Sequence, residues 1–128
     1  MSRLTLNLMP DLLAVCKLPP GAALPVDLLD RPFAAAVRTR DELSLVVPEN
    51  AIPAGAEAEP GWRAFQVVGP LDFALTGILA SLALPLAEAG ISIFAVSTYD
   101  TDYVLVRAAR VEQAAAVLQN SGFDVRLN

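Results

Sequence analysis

Between Gly69 and Val106 an apolar stretch is punctuated by polar side chains: Asp72, Thr76, Ser81, Glu88, Ser92, Ser97, Thr98, Asp100, Thr101 and Asp102. Their types restrict the chemistry. The chain has no His and a single Cys, Cys16, so a hydroxyl or thiol nucleophile finds no imidazole base and a tetrahedral zinc set cannot be assembled. Asp100 and Asp102 place two carboxylates in one turn, a pattern more often solvated than holding magnesium. No GxGxxG or Walker pattern is present. No catalytic residue, metal or cofactor is therefore expected. What remains is non-covalent binding. The residues from Leu71 to Thr76 lead into a helix start, whose unpaired amides favour a carboxylate. Asp102 could pair with an ammonium, and an amino acid carries both groups. Asp102 also reads as a turn residue capping its hairpin, and Thr98 as a β-branched strand end or a ligand hydroxyl.

The whole chain limits the partners. Its 128 residues suffice for one compact unit or two small halves. Net charge is −5 and Lys17 is the sole lysine, so no basic surface exists to neutralise phosphates, and nucleic acid is not expected as a partner. Hydrophobic residues make up 55% of the chain, yet no apolar run reaches the roughly 18 residues of a membrane span. The surplus of Ala and Leu points instead to a subunit interface. A lone cysteine and an N-terminus unlike a signal peptide point to the cytoplasm.

The elements that must position these groups follow from periodicity. Residues 4–8 alternate as a half-buried strand and residues 12–18 read as a second. After PPGAALP comes a short helical turn at 27–29, and segments 33–40 and 42–48 form a hairpin. The Ala-, Pro-, Gly- and Glu-rich stretch 50–61 reads as a connection between halves. Segment 62–68 is a strand with Trp62, Ala64, Gln66 and Val68 on one face and Arg63, Phe65 and Val67 on the other. Thr76 is the expected N-cap of a helix in which Ile78, Leu82, Leu86 and Ala89 recur, with Pro85 as a kink and Gly90 at its end. Segments 91–97 and 102–108 are strands around the turn Tyr99-Asp100-Thr101. A second helix over 110–120 buries Val111, Ala115 and Leu118, and 123–127 is the last strand.

From Trp62 onward the order is βαββαβ, which predicts an α+β, ferredoxin-like antiparallel sheet with both helices on one face. Several uses of that fold are excluded by missing residues. PLDFALTG has no Arg for acylphosphatase chemistry and no CxxC for metal transfer. Phe94 and Tyr103 on an acidic chain do not make an RNA-binding sheet.

The stretch GPLDFALTGILASLALPLAEAGISIFAVSTYDTDYVLV resembles the ACT domain, in the subgroup of small bacterial proteins related to the CASTOR-type cytosolic arginine sensors of animals. GILA, PLAEAGISIF and STYDTDY carry most of the resemblance, and ELSLVVPE at 42–49 is similar to the end of a degenerate first ACT-like half. The resemblance implies a degenerate half over residues 1–60, mostly strands, and a βαββαβ ACT domain over 61–128. It implies amino-acid binding by the pre-helix residues Asp72, Phe73, Ala74, Leu75 and Thr76, by Thr98 and Asp102, and by Ser92 and Ile93 of a neighbouring ACT domain. Leu75 stands where the arginine-binding domain has an acidic residue, which removes a counter-charge for a guanidinium. Because this chain holds one such domain, the shared interface requires a homodimer. The expected function is a non-catalytic, ligand-sensing regulatory module. The alternative is a ligand-free ACT-like dimer that regulates a partner by association.

Overall fold

A computed structural model describes residues 4–72 and 76–127. The chain forms two compact units, one of residues 1–10 with 63–128 and the other of residues 11–62.

In the larger unit, the alternation of strand β1 (Thr5–Leu8) sends Leu6 and Leu8 into the core and leaves Thr5 and Asn7 half-buried. Strand β5 (Glu57–Val67) enters this unit at Arg63 and contributes Phe65 and Val67 to the same core, as the expected faces require. Helix α1 (Ile78–Glu88), strands β6 (Ile93–Ser97) and β7 (Asp102–Arg107), helix α2 (Val111–Asn120) and strand β8 (Asp124–Arg126) complete the βαββαβ order. Leu82 and Leu86 of α1 and Val111, Ala114, Ala115 and Leu118 of α2 meet Leu6, Phe65, Val104 and Val106 in one cluster. Both helices therefore cover one face of an α+β, ferredoxin-like sheet.

The sheet is mixed, not purely antiparallel. Its order is β6-β7-β5-β1-β8, because β1 occupies the place between β5 and β8. It runs antiparallel to β5, with Leu6 opposite Val67, and parallel to β8, with Leu6 opposite Val125. A parallel pair needs a long crossover, and everything between β1 and β8 supplies it.

Helix α1 does not take Thr76 as its cap. The N-cap is Gly77, at φ 78°, and no side chain caps it among the described residues. A left-handed residue at this position suits glycine, and Thr76 is thereby placed one residue too early to reach the first-turn amides. Pro85 lies inside the helix as its sequence position implies. At the far end Gly90 N–H donates to Ala87 O at 3.0 Å and Ile91 N–H to Leu86 O at 2.9 Å, the Schellman pattern that satisfies the last carbonyls.

The smaller unit pairs strands β2 (Leu13–Leu18), β3 (Ala35–Arg38), β4 (Leu43–Pro48) and the first half of β5 in the order β3-β4-β2-β5, all antiparallel. Its core is Ala14, Cys16, Leu28, Leu43, Leu45 and Val47, and 3-10 turns at Leu28–Asp30 and Glu49–Ala51 are its helical pieces among the described residues. The hairpin between β3 and β4 closes where the Thr39 hydroxyl accepts the amides of Asp41 and Glu42.

Strand β5 starts at Glu57, inside the stretch that composition reads as a connection. Pro60 and Gly61 are tolerated there because they form a bulge: Leu13 faces Trp62, but Val15 faces Glu59. Gly61 takes φ 82°, and its amide donates to Glu49 Oε2 at 2.6 Å instead of to the ladder.

Candidate functional site

A cavity of about 320 Å³ opens in the larger unit, between the start of α1 and the β6–β7 turn. That is at the small end of the range for small-ligand sites, enough for a compact metabolite. Leu71, Asp72, Gly77, Ile78 and Leu79 form one wall, and residues Ser97 to Asp102 the other.

The first wall follows from the helix start. The opening amides of α1 have no intrahelical acceptor, and the glycine cap supplies no side-chain oxygen to take them. They present partial positive charge to the cavity. The second wall follows from the hairpin. Thr98 N–H donates to Thr101 O at 2.8 Å and the Thr98 hydroxyl to the same oxygen at 3.1 Å, while Thr101 N–H donates back to Thr98 Oγ1 at 3.2 Å. The Thr98 hydroxyl thus serves its own turn.

Asp102 opens β7 directly opposite Ser97. The Ser97 hydroxyl donates to Asp102 Oδ1 at 2.6 Å, so one carboxylate oxygen is committed to the hairpin. The other accepts no hydrogen bond among the described residues. The side chain is oriented rather than consumed by its turn. Asp72, Asp100 and Asp102 are the charged side chains among the described lining residues, and no basic group joins them. The carboxylates of Asp100 and Asp102 therefore stand on the turn wall across from the helix-start amides, while Asp72 shares the first wall with those amides.

Of the residues singled out in the sequence, Asp72, Thr98 and Asp102 line this cavity. Thr76 is exposed beside it and is not among the lining residues. Phe73, Ala74 and Leu75 lie outside the described residues. Ser92 is exposed just before β6 and Ile93 begins that strand, packed against the core and opposite Val106. Four strand steps separate Ile93 from Ser97, about 13 Å, so neither Ser92 nor Ile93 reaches the cavity of its own chain. Gly77, Ile78, Leu79, Ser97 and Tyr99 joined the site only in the fold. Their signal, small and apolar residues flanking a helix start and a turn, is shared with many sites that bind nothing.

Comparison with known proteins identifies the architecture. Residues 57–120 match the ACT domain family model. A protein from Agrobacterium tumefaciens superposes with a TM-score of 0.92 at 36% identity, covering 100% of this chain and 96% of that one. A Vibrio cholerae protein of unknown function, described as a possible transport protein, gives 0.74 at 25% identity over 93% of this chain and 90% of its own. The regulatory subunit of aspartate kinase from Thermus thermophilus, in ligand-free form, gives 0.64 at 13% identity over 94% and 99%, a likeness of fold. No functionally curated protein matches the sequence.

Proposed function

Because this chain belongs to the ACT domain family, we propose that it is a non-catalytic regulatory module that binds a free amino acid in the cavity at the start of α1. The observation that carries the reading is the pairing of opposite polarities across one small cavity. Uncapped amides of Ile78 and Leu79 face an α-carboxylate, and Asp102, held by Ser97, faces an α-ammonium. Asp72 lines the cavity on the side of the helix start, and the resemblance adds Phe73, Ala74, Leu75 and Thr76 to the residues proposed to meet the ligand. Thr98 acts through the turn it ties rather than by donating to the ligand.

The module works as a cytoplasmic homodimer, and the partner copy completes the site with its Ser92 and Ile93. Strand β6 supports this arrangement, since among the described strands it pairs with β7 alone. Ile93, Phe94, Ala95, Val96 and Ser97 include neither charge nor proline, which leaves the edge open to another strand. On α1 an exposed apolar group is formed by Leu84, 63% exposed, with Ala80 and Ala87, flanked by exposed Ser81 and Glu88. Among the described residues no helix is long and apolar enough to cross a membrane.

Within the family the chain stands near the CASTOR-type sensors, with Leu75 setting its ligand apart from arginine. A small or apolar amino acid suits a site without the acidic residue. Leu75→Glu moves preference toward a cationic side chain.

The test is a thermal-shift screen of the full chain against the twenty amino acids. A ligand at a hundredfold its dissociation constant adds about 2.7 kcal/mol. No shift with any of them would overturn amino-acid binding and leave the ligand-free dimer, favoured by the uncharged β6 edge.

A further inference from the structure

We infer that Thr101 is the positioning residue of this site: its buried hydroxyl holds the turn that presents Asp102 at a constant distance from the wall leading into α1. The inference rests on reading the cavity as a ligand site, and goes beyond it by assigning the spacing of its walls to one side chain.

Among the described residues Thr101 is the buried polar side chain, 7% exposed. A buried hydroxyl is unfavourable unless it is bonded, and its partner shows what it does. Thr101 Oγ1 donates to the carbonyl of Val67, the last residue of β5, at 2.5 Å. A valine would fill the same volume, so packing alone does not call for the hydroxyl. The bond ties the turn to the strand end from which the opposite wall departs.

Two further features act at the same place. Leu71 N–H donates to Asp100 O at 2.7 Å, so the wall itself hangs from the residue before Thr101. At Gly69, between Val67 and Leu71, a Cβ would stand 3.1 Å from Asp100 O and 3.3 Å from the Thr101 Cβ. The two segments approach that closely because no side chain separates them. Hydroxyl, amide and glycine thus form one seam, and Asp102 is the next residue along it. With the hydroxyl gone, the bond from the turn to Val67 O is lost, the seam loosens, and the carboxylate drifts relative to the helix-start amides.

The test compares Thr101→Val, Thr101→Ser and Gly69→Ala in the full chain, reading amide hydrogen exchange by NMR without ligand and thermal shifts with the twenty amino acids. Thr101→Val should speed exchange at Leu71 at least tenfold more than at Leu118 in α2. Thr101→Ser, which keeps the donor, should return Leu71 to within about twofold of wild type. Gly69→Ala, which forces the seam apart sterically, should reproduce the valine variant. Any amino acid that shifts the wild type should shift Thr101→Val less and Thr101→Ser equally. If Leu71 moves no more than Leu118, or if Thr101→Val binds as wild type does, the positioning role is overturned. A wild type that responds to no amino acid overturns the ligand reading, while the exchange data still decide whether Thr101 holds the seam.

Discussion

Ser97 and Asp102 face each other as the last and first residues of adjacent strands, and the Ser97 hydroxyl donates to Asp102 Oδ1 at 2.6 Å. The pair makes a turn carboxylate directional. The bond is exposed to solvent, so it is worth about 1 kcal/mol or less, a bias of the carboxylate toward one rotamer at the mouth of the cavity.

Asp102→Asn keeps the shape and the oxygen that Ser97 reaches but removes the charge. Affinity for a bound amino acid should fall on the order of tenfold, while thermal unfolding stays near wild type. Ser97→Ala, which keeps the charge and loses its orientation, should weaken binding by less. Calorimetric titration reads both, and equal affinity in wild type and Asp102→Asn would remove the ammonium from Asp102.

Sedimentation at micromolar concentration should give a particle of twice the 13.5 kDa chain mass. Leu84→Glu, on the exposed side of α1, should shift the equilibrium toward monomer by at least about tenfold without altering the circular dichroism. A wild-type particle of one chain mass ends the homodimer proposal.

Pro85 removes a donor in the interior of α1, leaving the carbonyl of Ser81 without its helical partner. Pro85→Ala restores that bond but gives the unfolded chain more freedom. The helix term is larger, so the urea midpoint should rise by the equivalent of about 1 kcal/mol. A lower midpoint would mean that the proline ring packs better than the restored bond compensates.

The bulge in β5 depends on Gly61 and Glu49. Gly61→Ala places a Cβ at φ 82° and should lower stability by about 1 kcal/mol or more. Glu49→Gln weakens the bond to the Gly61 amide and should lose roughly 1 kcal/mol. Urea titration of each variant, and of the pair for non-additivity, tests whether the two act together.

Burial pushes the Cys16 thiol pKa up, because a thiolate in the core of the smaller unit loses its hydration. A group whose folded pKa is raised stabilises fully below its unfolded value and loses that contribution as pH climbs toward the folded one. Stability should therefore be level with respect to this group at neutral pH and decline above about pH 8.5. Cys16→Ala should fall less between pH 7 and pH 9.5 than wild type in urea titrations. Parallel declines would show that the thiol takes no part.

Local periodicity carried much of the fold. The alternation of Phe65 and Val67, the recurrence of Leu82 and Leu86, and the glycines after both helices each state a conformation within a few residues, and the structure realises them. The absence of His and the lone Cys likewise bounded the chemistry before any fold was known. Other features depended on partners far away along the chain. Nothing in TLNL says that β1 inserts between β5 and a strand beginning at Asp124, because register is set by burial of Leu6 and Leu8 in the assembled sheet. Pro60-Gly61 reads as a breaker until β2 and the Glu49 carboxylate stand beside it. Thr76 and Gly77 both suit a helix start, and the cap position takes a left-handed backbone that favours the glycine. Thr101 is an ordinary turn residue by type. Only the approach of the β5 end, across more than thirty residues of sequence, gives its hydroxyl an acceptor and the cavity its second wall.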